Sequence, residues 1–226
     1  MLAALAAGEH VGEGDWLVAD RQRAGRGRQG REWFDGSGNF MGSTVIRPGP
    51  HDPAASSLAF LAGLALYAAV QPLLADPRSL SLKWPNDLML DDGKLAGILL
   101  EAGAGGAVVV GIGVNLARSP KLPDRRTIAL ADRGPAPDRD LFAAALASCW
   151  DREVERWRQA GLAPILRRWD ALAHAAGTAL RVHEPGGATI AGSYAGLAED
   201  GALRLRLEEG GERIIHAGDV LLEGKD

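Results

Sequence analysis

Residues 79–116 read SLSLKWPNDLMLDDGKLAGILLEAGAGGAVVVGIGVNL, a run of short apolar stretches punctuated by turn residues. Leu80 and Leu82 alternate with polar neighbours up to Lys83 and Trp84, the two-residue period of a strand with one buried face. Pro85 must stop or bend that strand, because proline gives no amide to a ladder. Leu88 and Leu90 begin a second strand, and Asp92-Gly93 is a hairpin turn. Residues 94–101 resume as a strand, the glycines of 103–106 turn again, and residues 107–116 form the next. Together they predict an antiparallel meander. Gly97, Gly111 and Gly113 weaken the strands they sit in, so they mark bulges or the close approach of a ligand.

Working outward, residues 16–19 read as a strand entering the stretch RQRAGRGRQGREW (21–33), and residues 40–46 as the strand that leaves it. Residues 1–7 look like the tail of a helix ended near Gly8. Asp52 followed by Pro53 is a helix start, the carboxylate capping and the proline in the first turn. Leu58, Leu61, Ala65 and Ala68 or Ala69 continue at helical spacing. Residues 58–74 are the most apolar segment, but Gln71 and Pro72 interrupt them, which favours a buried helix over a membrane span. Downstream, residues 118–137 read as a loop. Asp138 or Asp140 caps a helix carrying Phe142, Leu146, Cys149, Trp150, Val154 and Trp157 on one face. A shorter helix follows over about 162–175, with His174 as a favourable charge near its C-terminus. Beyond it, Leu180, Val182, Leu203, Leu205 and Leu207 alternate with polar residues between glycine turns, predicting a small β-barrel-like unit. The chain thus divides into residues 1–176 and 177–226, an α+β organisation.

The chain has 226 residues, is 46% hydrophobic and carries a formal charge of −4, which argues against a general nucleic-acid binder and makes any basic cluster a local feature. Its one cysteine, Cys149, excludes an intrachain disulfide and Cys-rich metal sites; its helical spacing among core residues makes it packing. The first ten residues lack a basic start followed by an apolar run, so no secretory signal is expected.

Residues 21–33 hold five arginines and three glycines. Gly25, Gly27 and Gly30 allow conformations closed to other residues, and the arginines offer guanidinium forks to a phosphate or carboxylate. This is an anion-binding loop, or a basic surface loop or short nucleic-acid patch. It has neither the Walker A ending nor the Rossmann spacing. In Lys83-Trp84-Pro85-Asn86-Asp87, proline can aim Asn86 and Asp87, with Lys83 cationic and Asp87 an acceptor for a hydroxyl or Mg²⁺; the same residues also make an ordinary turn. Lys94 could neutralise a phosphate or carboxylate, or simply end a hairpin. Asn115 could bond a ligand or the next turn.

Taken together, GRGRQGREW (25–33), KWPNDLML (83–90), GKLAGILLE (93–101) and GIGVNL (111–116), in this order, closely resemble the biotin–protein ligase family. The stretches EDGALRLRL and HAGDVLL resemble its small C-terminal domain. The resemblance implies a mixed β-sheet backed by helices, akin to class II aminoacyl-tRNA synthetases and lipoate ligases, followed by an SH3-like barrel. It implies an enzyme that joins biotin to AMP and passes it to a lysine of the biotin carboxyl carrier protein of acetyl-CoA carboxylase. ATP, biotin and Mg²⁺ are the implied cofactors. The implied setting is cytoplasmic, without nucleic acid or membrane, and a homodimer is compatible. Carried over, Lys94, Arg26 and Arg28 are catalytic, the arginines closing over biotin and adenylate on a loop hinged at Gly25 and Gly27. Gln22 borders biotin, Trp33 stacks near adenine, and Lys83, Asn86 and Asp87 surround the phosphates, with Asp87 on the metal. Gly97, Gly113 and Asn115 complete the ligand side. The family usually carries a Ser-Thr-Asn segment ahead of these motifs, and residues 1–15 hold no equivalent, so a late start or a truncated form is expected. No helix-turn-helix domain is expected either, and repression is not implied. The arginine/glycine loop and His-Asp motif usual in lipoate or octanoyl ligases are not found.

Overall fold

A strand whose residues are buried on both sides needs cover on both faces, and Phe40–Ile46 is such a strand, with only Ser43 partly exposed. The computed structural model describes residues 1–222 and places this segment inside a six-stranded sheet. Its strands are β1 (Trp16–Val18), β2 (Phe40–Ile46), β3 (Leu80–Lys83), β4 (Asp87–Leu90), β5 (Gly93–Ala102) and β6 (Val108–Val114), in the order β1-β2-β6-β5-β4-β3. All its ladders are antiparallel, and parallel pairing enters through the single bridges Leu82–Ala173 and Lys94–Thr127. The meander over β3–β6 is as expected from the sequence. Its register shift, however, falls between Leu88 and Met89 rather than at a glycine.

One face of the sheet is covered by helices. A short helix α1 (Leu2–Ala6) packs Leu5 on Val45, Ala107 and Val109 at one end of the opposite face. Helix α2 (Leu58–Val70) is apolar all round and correspondingly buried except for partly exposed Ala59, Tyr67 and Ala68, among the sheet, α3 (Arg139–Ala160) and α4 (Leu162–Ala171). By length and composition the helical run Ala55–Leu73 could cross a membrane; here it is the central core helix. Gly63 lets the Trp169 indole approach, since a Cβ there would lie 3.1 Å from its Nε1.

Asp52 does not cap α2. Ala54 stays extended after Pro53, the helix starts through a 3-10 turn at Ala55–Ser57, and the Asp52 carboxylate turns back to accept from the Gly49 amide at 2.8 Å. Ser57 instead accepts from the Trp157 indole at 2.9 Å, joining α2 to α3. Asp138, not Asp140, caps α3, accepting from the Asp140 and Leu141 amides at 2.9 Å each. The loop after β6 holds a 3-10 turn at Leu130–Asp132.

The second sheet runs β10-β9-β8-β7-β11, from β7 (Ala179–His183), β8 (Thr189–Leu197), β9 (Leu203–Arg206), β10 (Glu212–Ile215) and β11 (Asp219–Leu222). All its ladders are antiparallel, and its alternating Leu180, Val182, Leu203 and Leu205 join the same core as α2. Trp84 donates its indole N–H to the Gly201 carbonyl at 3.1 Å, and Tyr194 donates its hydroxyl to Asp170 of α4. The two sheets therefore meet at the end of β3, next to the Lys83–Asp87 turn.

Helix α4 stops at Ala171, so His174 lies beyond its last turn and does not serve as a capping charge. Burial, with Lys83 nearby, pushes its imidazole down to about 4, and it is neutral at pH 7. An unfolded histidine titrates near 6.5, so stability is full above that value and falls as pH drops from about 6.5 to 4. The linkage amounts to roughly 3 kcal/mol. Urea unfolding of His174→Gln across that range should lack this slope, whereas the wild type should show it.

Candidate active site

Gly97 and Gly113 are opposite each other in the β5–β6 register, and the space above them is filled by the indole of Trp33. A Cβ at Gly113 would lie 2.3 Å from Trp33 Cε2, and one at Gly97 would lie 3.0 Å from its Cζ3. Gly97 and Gly113 thus mark a close approach, but by the chain's own Trp33 side chain rather than by the ligand that the sequence suggested. The same open space at Gly97 admits the Lys94 ammonium, 3.2 Å from the missing Cβ and 5.7 Å from the Trp33 ring centroid.

The arginine-rich segment folds into a hairpin over this floor. Trp33 N–H donates to Gly25 at 3.0 Å, Gly27 N–H donates to Arg31 at 2.7 Å, and Arg26 bridges Glu32. The tip turns through Arg28–Gly30, where Gln29 and Gly30 take positive φ. Gly25 lies under the loop rather than in the cavity wall: a Cβ there would be 2.8 Å from the Trp33 carbonyl oxygen. At the base, Asp35 pairs with Arg21 and accepts from the Gln22 amide.

Beneath the hairpin is a cavity of about 850 Å³. Gln22, Arg26, Gly27, Arg28 and Trp33 line it from the loop; Asn86, Asp87, Lys94, Gly97, Gly113 and Asn115 line it from the sheet. Lys83 is the exception among the cations. It lies behind Asp87, at 3.5 Å, and donates to the Val220 carbonyl of the second sheet at 3.1 Å. Lys94 meets the other oxygen of Asp87 at 2.6 Å. Burial alone would raise the Asp87 carboxyl, but the two ammonium groups outweigh it and hold it below the usual carboxylate range. Burial pushes the Lys83 ammonium down, against the pull of Asp87.

Arg28 donates to Asn86 Oδ1 at 3.1 Å, while Asn86 Nδ2 donates to the Ile98 carbonyl at 2.6 Å, so β5 sets the direction of Asn86. Burial lowers the Arg28 guanidinium against the opposing field of Asp87. Arg26 is exposed at the mouth, with no charged partner among the described residues. Asn115 is buried and mainly structural: its Nδ2 lies 3.4 Å from the Lys94 carbonyl and 3.2 Å from that of Ile128, and its Oδ1 accepts from Asn39. No group of three His, Cys, Asp or Glu side chains is placed to hold a metal among the described residues, and both Asp87 oxygens face lysines. The donor set does not fit a metal ion held by the protein alone.

Sequence reasoning missed Arg31, which pairs with Asp219 of β11, and the wall formed by Pro120, Leu122, Arg125 and Thr127. Only the charged DRR at 124–126 hinted at the latter.

Asp87→Asn would leave two ammonium groups facing each other in a buried site. We expect a loss of about 3–5 kcal/mol at pH 7. Because Lys83 titrates below its ordinary value in the fold, part of that loss should be regained as pH rises toward the ordinary lysine range; urea unfolding at pH 7 and 9.5 measures both.

Residues 10–116 match the Biotin/lipoate A/B protein ligase family, and residues 179–222 match the Biotin protein ligase C terminal domain. A biotin–[acetyl-CoA-carboxylase] ligase of Paracoccus denitrificans is 39% identical over 92% of this chain and 90% of its own length. One from Mycobacterium tuberculosis is 35% identical over 98% and 83%. The fold is similar to that of the Aquifex aeolicus biotin protein ligase solved with biotin and ATP, with a TM-score of 0.82, 27% identity, and coverage of 96% of this chain and 91% of that one. The glycine floor, the arginine hairpin and the two-sheet architecture are therefore those of a member of the biotin protein ligase family, to which this chain belongs.

Proposed function

We propose that the chain catalyses ATP-dependent ligation of biotin, through biotinyl-5'-adenylate, to a lysine of the biotin carboxyl carrier protein of acetyl-CoA carboxylase, in the cytoplasm. The carrying observation is that Arg26, Arg28 and Lys94 line one cavity, over a floor where the paired glycines Gly97 and Gly113 admit the Trp33 indole and the Lys94 ammonium. The biotin carboxylate attacks the α-phosphorus of ATP, forming an acyl–phosphate bond as the α–β bond breaks and pyrophosphate leaves. The carrier amine then attacks the acyl carbon, releasing AMP and a proton.

Two anions must meet in the first step, and negative charge grows on the departing pyrophosphate. Fixed cations stabilise that arrangement more than either separate substrate. Lys94 is assigned to the carboxylate and α-phosphate, and Arg28 to the phosphates, aimed by Asn86. Lys83 and Asp87 act through Lys94: Asp87 fixes its ammonium, and Lys83 balances Asp87 from behind. Trp33 and Gln22 flank the adenylate and biotin, Gly97 and Gly113 leave them room, and Asn115 holds the Lys94 backbone beside the nucleotide. Mg²⁺ would enter on the ATP phosphates, where it neutralises charge, since the protein offers it no acidic cluster of its own. Arg26, on a hairpin hinged at Gly25 and Gly27, closes the mouth and keeps water from the adenylate.

Incubation with ATP, biotin and a carrier domain, with lipoate in parallel, should incorporate biotin; incorporation of lipoate alone would overturn the reading. Lys94→Met should slow adenylate formation by roughly 10²–10³-fold. Arg26→Ala should release the adenylate to solution faster than wild type, and equal retention would refute closure.

A further inference from the structure

Among the described residues, the second sheet reaches into the cavity through one side chain. Asp219, the first residue of β11, lines the cavity, forms an ion pair with Arg31, and lies 3.8 Å from Arg28. The preceding residue adds to the contact: both terminal nitrogens of Arg28 lie 3.4 Å from the Gly218 carbonyl. This corner is braced from behind. A Cβ at Gly218 would sit 2.9 Å from Val182 and 3.0 Å from the His183 carbonyl, so only glycine brings the turn this close to β7. One residue on, the Val220 carbonyl receives Lys83. Asp219 is therefore presented by a fixed backbone to two guanidinium groups on a glycine-rich hairpin.

We propose that Asp219 occupies, in the ligand-free protein, the anion position that a phosphate of ATP takes over, so that nucleotide binding exchanges one anion for another and uncouples the hairpin from the second sheet. This rests on the reading of the cavity as an ATP site. One carboxylate supplies a single negative charge to two guanidiniums. A triphosphate supplies several charges and more acceptor oxygens, and bidentate guanidinium–phosphate geometry favours it. The exchange costs apparent affinity, because part of each binding event goes into breaking the resident pair. In return the two arginines stay paired and aimed at the cavity before ligand arrives.

Asp219→Asn keeps the shape and removes the charge. Ligand-free, it should be cut faster by trypsin after Arg28 and Arg31. Titration calorimetry should show ATP and pyrophosphate binding about 5-fold tighter than to wild type. In steady state, KM for ATP should fall without a matching fall in kcat, and Asp219→Glu should return all three readouts toward wild type. Weaker or unchanged anion binding by Asp219→Asn would mean that the carboxylate does not compete with phosphate for the arginines, and unchanged trypsin cleavage would mean that it does not hold the hairpin; either overturns the exchange. Failure of the wild type to form biotinyl-adenylate, with the Asp219→Asn shifts in pyrophosphate binding present, would overturn the proposed reaction and leave the exchange standing. Adenylate formation without those shifts would do the reverse.

Discussion

A carboxylate buried between two lysines organises this molecule. Asp87 and Lys83 are a cross-strand pair flanking the turn at Trp84-Pro85-Asn86, and Lys94 approaches from the next strand. Removing Asp87 would leave two ammonium groups facing each other in a low-dielectric place, so both lysines depend on the carboxylate between them. Their consequences spread along the backbone. Lys83 reaches into the second sheet at Val220, Lys94 is fixed through Asn115 and the 126–128 segment, and Asn86 aims Arg28. One electrostatic knot thereby registers the meander, the following loop and the second sheet to each other.

The other constraint is steric. A sheet face lined by ordinary side chains would leave no room for both an indole and an ammonium beside the strand backbone. Gly97 and Gly113 remove two side chains at facing positions, and Trp33 with Lys94 occupies the space. The cost is weaker strand propensity, and long pairing on both sides compensates: β6 is flanked by β2 and β5 over its full length.

These features differ in how far they could be read from the sequence. The meander was legible because period-two alternation and glycine turns are local signals, and the strand of residues 40–46 because it is a short, mainly apolar run leaving a glycine-rich loop. The capping role of Asp138 was legible only as a choice between two aspartates, because both stand next to the same helix start. Asp52 misled, since an Asp-Pro pair looks like a cap whatever the following residues do, and the extended Ala54 moved the helix start downstream. His174 misled because its surroundings come from β3, nearly a hundred residues earlier. Lys83 was legible as part of a charged cluster but not as the member facing away from the cavity; that direction is set by strand alternation and by a carbonyl of the second sheet. Arg31 was legible as charge alone, since its partner, Asp219, is nearly two hundred residues away.

The overall charge of −4 and the local chemistry are reconciled by how the cations are partnered. Around the cavity Lys83, Lys94, Arg28 and Arg31 face two carboxylates, Asp87 and Asp219, and Arg26 has no acidic partner among the described residues. These five cations outnumber the two carboxylates they meet directly, although Glu32, Asp35, Glu101 and Asp124 also line the cavity, with Arg125, so the basic cluster is a local feature of an acidic protein. A site with every cation neutralised would gain little from binding phosphate, and one with none neutralised would repel itself in the folded state. Two carboxylates among these cations put the site between those limits. The deeper one, held by lysines on both sides, is fixed; the outer one, held by arginines on a glycine hairpin, is where exchange with a ligand costs least.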